Sequence, residues 1–125
     1  MDAKQHLYYG IGNIAYALAG VDGKVQREEK EALQNLIASE INKFDSDADY
    51  TDIIFQVLDK EKADFETAYK WGMDAIKLGE HKLTPIIKWR FVDLLQKVAD
   101  AYPPSTDDEN QVISRFIRDL RAIGH

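Results

Sequence analysis

Acidic residues open two of the helices that the sequence predicts, and their carboxylates are the groups best suited to chemistry. Glu28 and Glu29 follow a turn that begins at Asp22, while Asp108 and Glu109 follow a proline pair later in the chain. Hard divalent cations such as Ca²⁺, Mg²⁺ and Mn²⁺ bind carboxylate oxygens, and Ca²⁺ takes about six to eight oxygen ligands. One turn supplies too few ligands, so a site needs water or both acidic clusters. We therefore predict Asp22, Glu28, Glu29, Asp108 and Glu109 as candidate metal ligands.

The same acids also have a purely structural explanation. Carboxylates in the first turn of a helix are stabilised by about 0.3–1 kcal/mol each through the helix dipole. Thr106 and Glu109 have the spacing of a capping box, in which each side chain binds a backbone N–H. A composite cation site additionally requires that both acidic helix starts lie at one end of the protein. The sequence leaves this point open.

Motifs for catalysis are absent from the sequence, and we expect a protein that is not an enzyme. The serines lie outside any nucleophile-elbow pattern, and Gly10-Ile11-Gly12 lacks the third glycine and the preceding strand of a phosphate-binding loop. No pair of histidines has the spacing of metal ligands on a helix; these residues are His6, His81 and His125.

An acid-rich segment at 45–49 resembles the start of a calcium-binding EF-hand loop. The loop requires Gly at its sixth position and a bidentate Glu at its twelfth. Those positions hold Tyr50 and Gln56. We therefore interpret this segment as a solvated, helix-capping turn.

Helices must position these residues, because apolar side chains recur at a spacing of three and four. Asp64 and the pair Thr84-Pro85 are typical helix starts, and Gly79 and the pair at 103–104 are typical stops. The alternation expected of strands is absent. The predicted helices cover about 4–19, 27–44, 50–60, 65–78 and 85–102, and a sixth begins at the Thr106 capping box. We predict an all-α fold, a compact bundle of six or seven helices forming one domain over residues 1–125.

An internal repeat relates the two acidic helix starts. A shift of 80 residues superimposes 14–41 on 94–121 without a gap. Apolar positions then coincide, as do the acidic pairs at 28–29 and 108–109. Such self-similarity predicts two pseudo-symmetric helix hairpins within the domain.

Glycine is unusually placed in the first predicted helix. Gly10 and Gly12 lie in its interior, where each costs about 1 kcal/mol of helix stability relative to Ala. Close approach by a neighbouring helix is the natural compensation. We therefore expect tight helix packing in this region.

The composition of the chain argues against some classes of binding partner. The chain has 125 residues, a net charge of −6 and no cysteine. An acidic chain without clustered Lys and Arg is poorly suited to bind the phosphate backbone of nucleic acids. No apolar run is long enough to span a membrane, and we read the start of the chain as a packed helix and not a signal peptide. We expect a cytoplasmic protein.

The segment AxxDGKVxxEEKxxL, which begins at Ala19 and contains Asp22, Glu28 and Glu29, resembles the signature of the TerB-like family. That family includes the tellurite-resistance TerB proteins and the TerB-like domain of DjlA co-chaperones. The resemblance extends over nearly all of the chain, with Asp108 and Glu109 matching an echo of the motif, although Tyr102-Pro103 stands where the second Asp-Gly is expected. It implies an all-helical, non-enzymatic domain of bacterial stress-response type that binds a divalent cation through its acidic residues.

A second hypothesis assigns the acids a structural role only. The domain is then a protein-interaction module whose binding surface is an exposed apolar patch. The candidate residues for such a patch are Trp71, Trp89 and Tyr102. A protein partner is expected under this hypothesis, and a homodimer stays open.

Overall fold

The computed structural model describes residues 3–21, 27–44, 64–101 and 107–123, and every regular element within these ranges is helical. The predicted all-α class is thereby confirmed for the described part of the chain. The five α-helices are α1 (Ala3–Ala19), α2 (Arg27–Phe44), α3 (Phe65–Leu78), α4 (Pro85–Ala101) and α5 (Asp107–Arg121), and a short 3-10 helix (Glu80–Lys82) joins α3 to α4. The bounds of α1 to α4 agree with the predicted ones to within about a residue, and α5 begins directly after the predicted capping residue Thr106.

Some predictions fall outside the described residues. These are the helix at 50–60, the acid-rich segment at 45–49, and the turns of both hairpins, at 22–26 and 102–106. The number of helices in the whole chain and the pseudo-symmetry of 14–41 and 94–121 therefore stay predictions. None of the described helices has the length and apolar character needed to cross a membrane.

Side-chain caps fix the starts of α3 and α4 as the sequence predicts. Asp64 Oδ1 accepts a hydrogen bond of 2.8 Å from the backbone N–H of Thr67, and this bond lowers the pKa of the Asp64 carboxyl. Thr84 Oγ1 accepts one of 3.2 Å from the N–H of Ile87, directly ahead of Pro85 as the first residue of α4. Each cap satisfies a backbone donor that has no partner within its helix.

Helix α1 lies at the centre of the protein. It packs most extensively on α3 and also contacts α2, α4 and α5. Most of its residues from Leu7 to Leu18 are buried. Apolar side chains from all five helices complete the core, among them Leu33, Ile76, Phe91 and Phe116.

Two glycines allow α1 and α3 to touch backbone to backbone. A Cβ atom on Gly10 would lie 2.6 Å from the carbonyl oxygen of Gly72, and one on Gly72 would lie 2.7 Å from the carbonyl oxygen of Gly10. Gly10 also faces Ile76, whereas Gly72 faces Ile14, so the helices are antiparallel. The tight packing expected around Gly10 is confirmed, and α3 is the neighbour that provides it.

A partly buried ion pair joins α2 to α4. The Glu40 carboxylate accepts hydrogen bonds of 2.9 Å from Lys97 of α4 and 2.9 Å from Lys43 of its own helix. Its side chain is only 12% exposed. The hydrogen bond from Lys43, together with that from Lys97, lowers the pKa of Glu40 against the opposing effect of burial. The negative form of Glu40 therefore stabilises the folded state.

Replacing this carboxylate should make stability less sensitive to acid. We expect Glu40→Gln to lower the free energy of unfolding by up to about 1 kcal/mol at pH 7. Because the pKa of Glu40 is lowered on folding, the difference should be complete above about pH 5 and should disappear as pH falls through the lowered pKa. Urea denaturation from pH 3 to 7 measures it, with Asp74→Asn on the exposed face of α3 as the control. A difference that persists unchanged at pH 3 would contradict this role.

Candidate binding groove and acidic helix starts

The structure describes the side chains of two of the five predicted metal ligands. Asp22 lies outside the described residues. Glu28 and Glu29 begin α2 as predicted, but their side chains also lie outside the described part. Asp108 and Glu109 begin α5, where Asp108 is exposed and Glu109 is only 5% exposed. Among the residues that the structure describes, no three acids or histidines form a group that could hold a metal ion.

The helix directions bear on a composite cation site. Helices α4 and α5 are antiparallel, because Lys88 near the start of α4 binds the carbonyl oxygen of Ile123 just beyond α5. Helix α5 therefore begins beside the C-terminal end of α4, the end that Glu40 of α2 reaches through Lys97. Glu28 precedes Glu40 by twelve residues, about 18 Å along a helix. The contact at this end thus involves the C-terminal part of α2 and not its acidic start.

A single buried amide in α1 offers another polar group. Asn13 is fully buried, and its Nδ2 donates a hydrogen bond of 2.6 Å to the carbonyl oxygen of Tyr9. Its Oδ1 has no hydrogen-bond partner within the described ranges. One amide oxygen falls far short of the ligand number that a hard cation needs.

A shallow apolar groove runs between α4 and α5, and we call it the α4–α5 groove. Its volume is about 210 Å³. Binding sites for drug-sized ligands and cofactors usually enclose about 300–1,000 Å³. The groove is therefore better matched to one or two protein side chains. Six residues line it: Lys88, Trp89 and Val92 from α4, and Ile117, Leu120 and Arg121 from α5.

Trp89 leaves most of its indole in solvent at this groove. It is 65% exposed, and Ile86, one helical turn earlier, is 67% exposed. Residues three apart lie side by side on a helix, so the two apolar side chains extend the groove along one face of α4. Phe91 of the same helix is fully buried. Helix α4 thus buries Phe91 on one face and exposes Trp89 and Ile86 on another.

Positive charge borders the groove. Lys88 Nζ donates a hydrogen bond of 2.8 Å to the carbonyl oxygen of Ile123, and Arg121 is exposed on the opposite wall. None of the six lining residues is acidic, although the chain has 22 acidic and 16 basic side chains. The residues that line the groove are therefore positively charged, whereas the chain as a whole is negatively charged.

A polar network on the other side of α5 joins that helix to α3. The Tyr69 hydroxyl donates a hydrogen bond of 2.7 Å to Asp119, and the Arg115 guanidinium lies 4.1 Å from the centre of the Tyr69 ring. Arg115 also donates two hydrogen bonds, of 2.9 and 3.1 Å, to the Glu66 carboxylate. Burial, and then the bond to Asp119, raises the pKa of the Tyr69 hydroxyl. Sequence reasoning missed this network, because its partners are about fifty residues apart and share no motif.

The aromatic residues proposed for an interaction surface differ in exposure. Trp89 is the most exposed of those described, Trp71 on α3 is 38% exposed, and Tyr102 lies outside the described residues. Leu78 is 64% exposed and lies two turns beyond Trp71 on α3. Trp89 combines high exposure with a groove beside it. The sequence identified Trp89, but its pattern assigned the apolar groove residues of α5, Ile117 and Leu120, to the core.

No family model, curated protein or solved structure matches this chain. The proposals for its function therefore rest on its own residues and their geometry.

Proposed function

We propose that this chain is a non-enzymatic helical domain that binds a protein partner through the α4–α5 groove. The carrying observation is the 65% exposure of Trp89 beside an apolar groove of about 210 Å³. Burying apolar surface contributes about 25 cal/mol per Å², and a partner that covers the indole gains this without any rearrangement of the core. Trp is also among the residue types that most often dominate binding energy at protein interfaces.

The resemblance to the TerB-like family supports the same general class, a helical domain without catalytic chemistry. It also supports a second candidate function, the binding of a divalent cation at the acidic starts of α2 and α5. The observation in its favour is that both helices do begin with acids, at 28–29 and 108–109. The burial of Glu109 is better suited to helix capping, which places the interaction function first.

Site-specific crosslinking tests the groove directly. We expect a photo-crosslinking amino acid at Ile86 to capture a defined partner in the native host, and Trp89→Ala to reduce the yield of the adduct strongly. Truncating such an anchor should weaken binding by about 2 kcal/mol, or roughly thirty-fold. Mass spectrometry of the adduct identifies both the partner and the crosslinked segment.

The same crosslinker at Lys70, an exposed position on α3, serves as the matched control. Adducts that form equally from both positions, or whose yield is unchanged by Trp89→Ala, would show that the groove is not the binding surface. The absence of any adduct at Ile86 would count against the proposal as well.

A metal titration tests the second candidate. If the acidic helix starts hold a cation, Ca²⁺, Mg²⁺ or Mn²⁺ at a hundred times its dissociation constant should stabilise the fold by about 2.7 kcal/mol and raise Tm. The combined change Asp22→Asn and Glu29→Gln should remove this increase. An unchanged Tm with all three metals would leave the acids with a structural role alone.

A further inference from the structure

We propose that the partner presents an acidic amphipathic helix to the α4–α5 groove, with Asp or Glu beside its apolar stripe. This inference rests on the proposed function and specifies the chemistry of the partner. Its basis is the presence of two cations, Lys88 and Arg121, and no acid among the residues that line the groove.

Charge complementarity selects an acidic partner. The protein as a whole carries −6 and repels an acidic segment at long range. At the groove, however, the lining residues are four apolar side chains and two cations. One of the three ammonium N–H donors of Lys88 binds the carbonyl oxygen of Ile123, which holds the charge at the rim and leaves two donors for a partner. Carboxylates beside an apolar anchor would meet both cations at the end of the groove where α4 begins and α5 ends.

The shape of the groove selects a helix. Its walls are two antiparallel helices, and a third helix can lay an apolar stripe between them. The described residues contain no strand, so they offer no sheet edge on which an extended peptide could add a strand. Grooves for proline-rich segments are lined by several aromatic rings, whereas Trp89 is the single aromatic residue among the six that line this one.

Two other occupants would use the same features differently. A second copy of this chain would place one groove against another and bring like charges together, which disfavours that arrangement. An anionic membrane surface would attract Lys88, Arg121 and the exposed Trp89, but it offers no side chain to fill a concave site of about 210 Å³. Both are distinguishable outcomes of the experiment below.

A displayed peptide library provides the test, with the full chain as the target. The peptides are helices of roughly four turns with apolar residues fixed along one stripe, and the positions bordering the stripe vary among Glu, Lys, Gln and Ser. We expect selection on the wild-type protein to enrich Glu over Lys at these positions by about two- to five-fold per site, the range of an exposed ion pair. Raising the salt concentration should reduce the enrichment.

Charge reversal on the protein makes the test specific. Selection on Arg121→Glu should lose or invert the preference for Glu along one border of the stripe. Lys77→Glu changes the same charge in the last turn of another helix, at an exposed position outside the groove, and should leave the preference intact. Equal enrichment of Glu and Lys on the wild type, or the same loss with both variants, would overturn the inference.

The outcomes separate this inference from the proposed function. If apolar-stripe peptides are selected and need Trp89, but without a charge preference, the groove binds a helix and the acidic partner is wrong. If no selected peptide depends on Trp89, the proposed function itself fails. A dimer in sedimentation that Trp89→Ala dissociates would identify a second copy as the occupant. Flotation with phosphatidylserine vesicles but not with neutral ones would identify a membrane, and either result overturns the acidic helix.

Discussion

Replacing Gly72 with valine is expected to lower the free energy of unfolding by about 3 kcal/mol or more, enough to shift Tm by on the order of 10 °C. A Cβ atom at this position would lie 2.7 Å from the carbonyl oxygen of Gly10 and 2.7 Å from Cδ1 of Ile14. The side chain of Ile14 can adjust, but the carbonyl oxygen belongs to the backbone of α1. The two central helices must therefore move apart, and the core around them loses contacts.

Alanine substitutions at Gly10 and Gly72 test whether both glycines act through the same contact between α1 and α3. We expect Gly10→Ala and Gly72→Ala each to destabilise by about 1–2 kcal/mol, since the clash outweighs the gain in helix propensity. The double variant should cost clearly less than the sum, because the first change already separates the helices. Lys70→Ala on the exposed face of α3 is the control and should change stability by less than about 0.5 kcal/mol. Additive or stabilising effects in urea denaturation would show that the glycines do not determine this contact.

Phe91→Ala and Trp89→Ala should have very different effects on stability although they lie two residues apart on α4. Phe91 is fully buried, and truncating such a side chain typically costs about 3–5 kcal/mol. Trp89 is larger but 65% exposed, so its truncation should cost about 1 kcal/mol or less. Chemical denaturation of both variants, with the fluorescence of Trp71 as a common probe, measures the difference.

The comparison of Trp89→Ala with Phe91→Ala tests whether the Trp89 indole is exposed in solution. If Trp89→Ala destabilises as strongly as Phe91→Ala, the indole belongs to the core in solution and the α4–α5 groove loses its anchor. If the fold tolerates the change, as expected, loss of partner binding by the same variant is a direct effect on the surface. Ile86→Ala should behave like Trp89→Ala, since Ile86 is 67% exposed.

Local signals in the sequence were sufficient for the helices. Asp64, Thr84 and Pro85 act within one turn of the backbone, so their meaning does not depend on the rest of the fold. The same is true of the apolar spacing that predicted the helix at about 4–19. The polar network of Tyr69, by contrast, depends on where α5 meets α3, and no local pattern reports that meeting.

The sequence by itself thus determined the helical class and the helix starts at Asp64 and Pro85. It also indicated that a neighbouring helix lies close to Gly10 and that acids begin α2 and α5. Only the tertiary structure decided that the neighbour of Gly10 is Gly72, that Glu109 is buried while Asp108 is exposed, and that Trp89 borders a groove with a cation on each wall. The physical reason is the distance along the chain over which each interaction acts. Caps and helical periodicity act over three or four residues, whereas burial and surface shape depend on helices brought together from distant parts of the chain.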